Sequence, residues 1–186
     1  MTGGINIVWL KRDLRLTDHP PLAAAIASGR PCLLLYCFEP TLMADPHYRR
    51  RHWRFVSQSL DDMDAKLAAF GAQVWRFESE LEPLLDALHK HVGIAAVYSH
   101  EETGLAITYR RDQAVAHWLA ARNIPWHESQ SHGVERGRRN RDQWNRRWHE
   151  VMQGEQRHPD LSRLRPHSPR DPALLALAHA TPAPWR

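Results

Sequence analysis

The stretch that decides the fold is INIVWLKRDLRLTD, residues Ile5–Asp18. A short apolar run opens it, and four charged residues then fall within five positions: Lys11, Arg12, Asp13 and Arg15. A nearly continuous apolar run is typical of a strand that is covered on both faces, as in a parallel sheet. The sequence therefore predicts a buried strand that is followed by a turn with several formal charges.

Four more short apolar runs predict further strands, at Cys32–Phe38, Gln73–Phe77, Ile94–Ser99 and Pro125–Glu128. The segments between them carry apolar residues at steps of three and four, the period of an amphipathic helix. Alternation of strands and helices predicts right-handed crossovers. We therefore expect an α/β fold, a doubly wound Rossmann-like parallel sheet of five strands flanked by helices.

The clearest helical pattern lies between the second and third strands. Its apolar stripe should be buried against the sheet at Trp53, Leu60, Met63 and Leu67, and Gly71 stands where a C-cap belongs. The next helix should begin at Ser79, because Glu82 three residues later completes a capping-box pattern. The first helix should begin near Asp18, with Pro20 and Pro21 in its first turn.

Composition bounds the class of protein. The chain has 186 residues, 42% hydrophobic, with a formal charge of +4, which is compatible with one globular domain and permits a polyanionic partner. Cys32 and Cys37 are an odd number of residues apart, so they should face opposite sides of a strand without forming a disulfide. No apolar segment approaches 18 residues, so we expect no membrane partner and a cytoplasmic location.

The last part of the chain differs in composition from the rest. Six of the 13 prolines lie in residues 154–186, which predicts an extended linker with one short helix around Ala173–His179. We therefore divide the chain into an α/β domain, residues 1–153, and a Pro-rich linker, residues 154–186. A linker in this position suggests a chain cut from something longer.

The charged turn should lie at a binding crevice. In a doubly wound sheet, ligands bind beyond the carboxyl ends of the strands near the switch in strand order, which the first strand usually borders. Asp13 can accept hydrogen bonds from backbone N–H groups and from an arginine fork, which would make it the organiser of the turn. Arg12 and Arg15 would then face a partner across the crevice. The alternative is a solvated turn of weak surface ion pairs.

Two segments of the sequence resemble a known protein family most clearly. Trp9–Leu22, WLKRDLRLTDHPPL, strongly resembles the opening of the DNA photolyase and cryptochrome family, with its Arg-Asp-Leu-Arg turn, a later Asp and then a helix. The segment from His52, HWRFVSQSLDDM, resembles the family's long helix. Phe38-Glu-Pro and Tyr109–Asp112 also match, and the resemblance covers about residues 5–152.

The resemblance implies a function for a larger parent protein, a blue-light-dependent DNA photolyase (a carbon–carbon lyase) or a cryptochrome. A C-terminal helical domain of that protein would hold FAD and bind DNA. This chain would supply the antenna-chromophore region and the scaffold for the flavin domain, and would not be catalytic alone. The resemblance implies a possible antenna of the folate, flavin or deazaflavin type. Ile107 and Thr108 stand where folate-binding members have an Asn-Glu pair, which argues against folate and favours a flavin-type antenna or none.

The candidate antenna crevice is formed by residues from two loops. Lys11, Arg12 and Asp13 follow the first strand, and Glu101 and Glu102 follow the fourth. The two carboxylates could bind a pterin-like or deazaflavin ring or a partner arginine. Their alternative role is that of favourable charges at a helix N-terminus.

The stretch Val134–Trp148 is rich in arginine and also carries Trp144 and Trp148, four residues apart. Such a strip could follow a phosphate backbone. We favour an amphipathic helix whose tryptophans belong to the core. No dinucleotide, P-loop, metal-ligand or nucleophile motif is present, so no catalytic residue and no metal site are predicted. The alternative function is a free-standing α/β module that binds a nucleotide or a protein.

Overall fold

The computed structural model describes residues 3–134, 136–137 and 140–178. Five strands follow one another along the chain: β1 (Ile5–Leu10), β2 (Cys32–Phe38), β3 (Val74–Glu78), β4 (Ile94–His100) and β5 (Trp126–Ser129). The helices are α1 (Pro20–Ala27), α2 (Pro40–Met43), α3 (Arg50–Leu67), α4 (Leu81–Val92), α5 (Ala106–Ala120), α6 (Trp144–Met152) and α7 (Pro172–Leu177). Two short 3₁₀ turns lie at Ala68–Phe70 and Leu161–Arg163.

The five strands form one parallel sheet in the order β3-β2-β1-β4-β5, which confirms the predicted fold class. The chain builds outward from β1 to β3 and then crosses to β4 on the other side of β1. The switch in strand order therefore lies between β1 and β4. Strands β3 and β5 begin one residue later than predicted, since the edge strands carry the weakest apolar pattern.

The sheet buries apolar side chains on both faces. One face packs beneath α1 and α3, and the other beneath α4 and α5. Cys32 belongs to the first face and Cys37 to the second, and both thiols are free, as predicted. The stripe of α3 is buried as expected at Trp53, Leu60, Met63 and Leu67.

The helix ends match the predictions only in part. Gly71 ends the turn after α3 with a φ of 65°, the left-handed conformation that favours glycine. The predicted capping box at Ser79 is wrong, because α4 begins at Leu81 after an uncapped Glu80. The Glu80 carboxylate instead accepts a hydrogen bond from the N–H of Thr41 at 2.8 Å.

The described part of the Pro-rich segment lies against the domain. The N–H of Cys32 donates to the carbonyl of Arg165, and the carbonyl of Cys32 accepts from the N–H of His167, each at 2.8 Å. Ala178 forms a bridge with Phe77, on the edge strand β3. Two apolar side chains of the segment are buried, one in each half of the core: Leu164 and Leu174.

Helix α6 contains no buried residue, so the expectation that its tryptophans belong to the core is wrong. Trp144 is 41% exposed, and Trp148 is half-buried. A side chain at Gly133 would collide with the Trp148 ring, so this glycine permits the close approach of the helix to the domain. Among the described residues, no helix combines the length and the apolar character needed to cross a membrane.

Candidate functional site

A cavity of about 460 Å³ lies beyond the carboxyl ends of β1 and β2, beside the switch in strand order. Its position is the one predicted for a ligand in this class of fold. One part of its wall is aromatic: Trp9, Tyr36, Tyr48, Trp53 and Phe55. Another part is charged: Lys11, Arg12, Glu39, Glu102 and Arg111. The cavity combines flat apolar surfaces with several polar anchors, as small-molecule sites commonly do.

Arg111, on α5, is the centre of the charged wall. Its guanidinium lies 2.7 Å from Glu39, 2.9 Å from Asp112 and 3.4 Å from Glu102. Burial disfavours the charged form of Arg111, but Glu39 and Asp112 raise its pKa above the usual value. Burial raises the pKa of Glu39, against the opposing effect of Arg111. The arginine therefore remains a cation that connects three buried carboxylates.

Lys11 joins the same cluster from the end of β1. Its Nζ lies 2.7 Å from Asp112 and 4.1 Å from the centre of the Trp9 ring. The Arg111 guanidinium lies 4.6 Å from the same ring, so two cations contact one tryptophan. Burial lowers the pKa of Lys11, while Asp112 opposes that shift. We define the Arg111 cluster as three cations and three carboxylates: Lys11, Arg12, Arg111, Glu39, Glu102 and Asp112.

Asp13 forms a second buried cluster with two histidines. Its Oδ1 accepts from the N–H of Lys11 at 2.7 Å, as predicted for a turn organiser. Its Oδ2 lies 2.7 Å from His19 Nε2 and 2.7 Å from His100 Nδ1. The predicted arginine fork on Asp13 is wrong, because imidazoles occupy that side of the carboxylate. Burial alone would raise the pKa of Asp13, but His100 and His19 hold it well below its usual range.

The Asp13–His19–His100 cluster has the composition of a metal site, with ligand atoms within 4.8 Å of one another. Its hydrogen bonds favour a different role. His19 is the N-cap of α1, and its Nδ1 accepts from the N–H of Leu22 at 3.1 Å. A metal at Nε2 of a neutral imidazole would place a proton on Nδ1, against that N–H. The cap therefore favours a proton on Nε2, facing Asp13.

The five predicted site residues divide between two adjoining spaces. Lys11, Arg12 and Glu102 line the main cavity, and they also border a cleft of about 320 Å³ beside it. Asp13 and Glu101 border only the smaller cleft. Glu102 is buried and accepts from Arg12 and from the N–H of Gly104. The two predicted loops are thus brought together, and the contact between Arg12 and Glu102 joins them.

Sequence reasoning did not include Glu39, Arg111 and Asp112 among the site residues. Arg111 and Asp112 lie in the stretch that carries the family resemblance, and Glu39 follows β2 at the same edge of the sheet as Lys11. The resemblance stretch and the end of β2 were thus the two features of the sequence that could have identified these three residues. His19 and His100 had no signal of their own, because their shared partner Asp13 is brought to them by the fold.

The parallel sheet, its crevice at the switch point and the charged turn after β1 define a doubly wound α/β domain. A family model described as DNA photolyase matches residues 6–136, more than half of the chain. The chain belongs to the DNA photolyase family.

Two curated relatives illustrate the extent of the similarity. Cryptochrome DASH from Gloeobacter violaceus is 30% identical over 125 residues, which is 64% of this chain and 25% of that protein. Cryptochrome-1 from Arabidopsis thaliana is also 30% identical over 125 residues, 66% of this chain and 18% of that protein. The chain thus spans a quarter or less of the length of these relatives.

Solved structures show the same fold. A bacterial class III photolyase from Agrobacterium tumefaciens aligns with a TM-score of 0.71 at 20% identity, covering 95% of this chain and 38% of that one. An archaeal photolyase from Sulfolobus tokodaii, described with two FAD molecules, aligns with a TM-score of 0.65 at 19% identity. That alignment covers 82% of this chain and 36% of the archaeal one. The described fold is that of the family's N-terminal α/β domain.

Proposed function

We propose that this chain is the antenna-chromophore domain of a blue-light-dependent DNA photolyase or cryptochrome. The observation that carries the proposal is the cavity beyond β1 and β2, where aromatic rings face the Arg111 cluster. Its volume of about 460 Å³ suits a planar heterocycle of flavin size, since drug-sized ligands occupy about 300–1,000 Å³. The chromophore would supply light absorption when bound.

The residues present fit such a group in two ways. The half-buried ring of Tyr48 offers a flat surface to a heterocycle, and Trp53 supports that ring from a centre 5.0 Å away. Lys11, Arg12, Arg111 and the carboxylates of the same cluster offer charged and hydrogen-bonding groups to its polar edge. Asp13 and Glu101, at the smaller cleft, would shape the loops. Folate, flavin and deazaflavin types all remain within the proposal.

The photochemistry is assigned to the whole protein. Within the proposal, a C-terminal helical domain of the same protein would bind FAD, and the complete protein would bind DNA. Residues 1–153 would form the antenna domain and residues 154–186 the connector toward the flavin domain. This chain alone would then not repair DNA, and we propose a cytoplasmic location.

Titration with the candidate chromophores tests the proposal. Riboflavin 5′-phosphate, an 8-hydroxydeazaflavin and a methenylfolate are each added to the chain, and binding is followed by fluorescence anisotropy. We expect saturable one-to-one binding of at least one of them. Val56→Trp, which would fill the cavity from α3, should abolish it.

Val151→Trp is the matched control, because Val151 is exposed on α6 and lies outside the cavity. It should bind as the unaltered chain does. Binding that survives Val56→Trp would show that the chromophore uses another surface. Failure of all three chromophores to bind would remove the antenna assignment.

A further inference from the structure

We propose that the smaller cleft binds a neutral polyol chain carried by the antenna ring and selects against anionic tails. This inference rests on the proposed antenna function and names the chemical class of its ligand. The cleft, of about 320 Å³, shares Lys11, Arg12 and Glu102 with the main cavity, so one ligand can occupy both spaces. The ligand class is a planar ring with a ribityl chain, as in riboflavin and 8-hydroxydeazaflavin.

Two half-buried hydroxyl groups line the cleft, those of Thr103 and Ser131. The N–H of Val134 donates to His132 Nδ1 at 3.2 Å, so the ring proton of His132 lies on Nε2. That Nε2 lies 3.0 Å from Thr103 Oγ1 and therefore donates to it. The hydroxyl proton of Thr103 then remains available as a donor to a ligand.

His100 supplies an acceptor at the same cleft. It is 3% exposed, and its Nδ1 lies 2.7 Å from the carboxylate of Asp13, to which it donates. The other ring nitrogen, Nε2, is buried and makes no hydrogen bond within the part of the chain that the structure describes. A buried acceptor without a partner favours a ligand that brings a donor. Each hydroxyl group of a polyol is both a donor and an acceptor.

The formal charges that line the cleft cancel. Ion pairs or histidine contacts match four of them, and Arg15 and Glu101 have no ion-pair partner among the described residues. Because these two are opposite in sign, the cleft has no excess of positive charge to hold a phosphate or a glutamate carboxylate. The charged residues of the cleft are three cations and three carboxylates: Lys11, Arg12, Arg15, Asp13, Glu101 and Glu102.

Glu101 is the residue that acts against an anionic tail. Burial disfavours the charged form of Arg136, but Glu128 and, to a smaller extent, Glu101 raise its pKa. Arg136 is paired with Glu128 at 2.6 Å, so it does not neutralise Glu101. A phosphate in the cleft would meet the like charge of Glu101, whereas a neutral hydroxyl group can donate to it.

Three ring compounds, titrated against the full chain and followed by flavin fluorescence, test this proposal. They are riboflavin, lumiflavin, which carries a methyl group in place of the ribityl chain, and riboflavin 5′-phosphate. We expect riboflavin to bind about ten-fold more tightly than lumiflavin, as a few added hydrogen bonds would give. Riboflavin 5′-phosphate should bind no more tightly than riboflavin. If 8-hydroxydeazaflavin alone binds, its methyl analogue takes the place of lumiflavin.

Variants at the cleft locate the effect. Thr103→Val should weaken the binding of riboflavin about five-fold and leave that of lumiflavin unchanged, and Ser131→Ala should act in the same direction. Glu101→Gln should strengthen the binding of riboflavin 5′-phosphate about five-fold and leave that of riboflavin nearly unchanged. The matched controls, Thr41→Val and Glu150→Gln, alter exposed residues outside both spaces and should change neither affinity.

The outcomes separate this inference from the antenna function. If no ring compound binds, the antenna function is overturned and this inference with it. Equal affinities for riboflavin and lumiflavin would overturn the cleft assignment alone, because the ring would still occupy the cavity. Tighter binding of riboflavin 5′-phosphate than of riboflavin, or binding of a methenylfolate in preference to both, would overturn the selection against anionic tails.

Discussion

The two polar clusters at the carboxyl edge of the sheet stabilise their buried carboxylates in different ways. The Arg111 cluster balances three cations with three carboxylates and forms part of a cavity wall. The Asp13 cluster satisfies one carboxylate with two imidazoles and a backbone N–H, and it is joined to the cap of α1. Balanced charge suits a surface that meets a polar ligand. Several hydrogen-bond donors around one carboxylate suit a fixed turn.

The largest expected effect comes from removing the centre of the balanced cluster. Arg111→Met leaves Glu39, Glu102 and Asp112 buried with too few cations. We expect a loss of about 3–5 kcal/mol in the free energy of unfolding, the range for an uncompensated buried charge. Chemical denaturation measures it. Arg110→Met, at the exposed neighbouring position, is the control, and an equal loss there would contradict the distinction.

A smaller effect is expected at the fixed turn. Asp13→Asn keeps one carbonyl oxygen but places an NH₂ group among three donors. The free energy of unfolding should fall by about 1–3 kcal/mol, the cost of leaving buried polar groups poorly paired. Asp62→Asn, whose side chain is 64% exposed, should change it by less than about 0.5 kcal/mol. If both variants denature alike, Asp13 does not organise the turn.

The two clusters should also respond to pH with opposite signs. The pKa of Asp13 is lowered in the folded state, so its contribution is present above the unfolded pKa of about 4 and is lost as the pH falls below it. The pKa of Glu39 is raised, so the folded state binds its proton more readily and gains stability as the pH falls.

Denaturation from pH 6 to pH 2 tests this difference. The stability gap between the unaltered chain and Asp13→Asn should narrow as the pH falls. The free energy of unfolding of the unaltered chain, relative to that of Glu39→Gln, should rise as the pH falls. Parallel changes in both gaps would show that the two carboxylates share one environment.

The smallest effects are expected at the arginines of the turn. The Arg12 side chain is 59% exposed, and Glu102 keeps the N–H of Gly104 and Arg111 when Arg12 is removed. Arg15 donates to the nearby carbonyls of Thr17 and Asp18. Arg12→Ala and Arg15→Ala should each change the free energy of unfolding by less than about 0.5 kcal/mol. A melting temperature lowered by several degrees in either variant would show that the arginine removed stabilises the turn.

The sequence was sufficient for the elements whose pattern is local. The two-sided burial of β1 and the stripe of Leu60, Met63 and Leu67 were predicted because burial of a strand or helix face leaves a period in the sequence. The capping box at Ser79 failed although its pattern was present. The contact of Glu80 with Thr41, across 39 positions, accompanies a later helix start.

The candidate site was predictable in position but not in its pairings. Strand ends in a parallel sheet meet at one edge, so the turn after β1 and the loop after β4 could be placed together. The partners of Arg111 could not, because Glu39 lies 72 positions away and is selected by packing. His19 and His100 were missed for the same reason. The exposure of Trp144 was also missed, since its spacing from Trp148 is equally typical of a buried helix.

The contacts of Asp18 and His19 with the Pro-rich segment impose an order on the folding of this chain during its synthesis. The N–H of His19 donates to the carbonyl of Arg157 at 2.9 Å, and the N–H of Arg157 donates to Asp18 at 3.1 Å. Translation proceeds from the N-terminus at about 5–20 residues per second, so these partners leave the ribosome many seconds apart. The turn at Asp18 and His19 is synthesised early, and it is therefore among the last parts of the chain to complete its hydrogen bonds. Until then, a nascent chain would keep the backbone of this turn open to water.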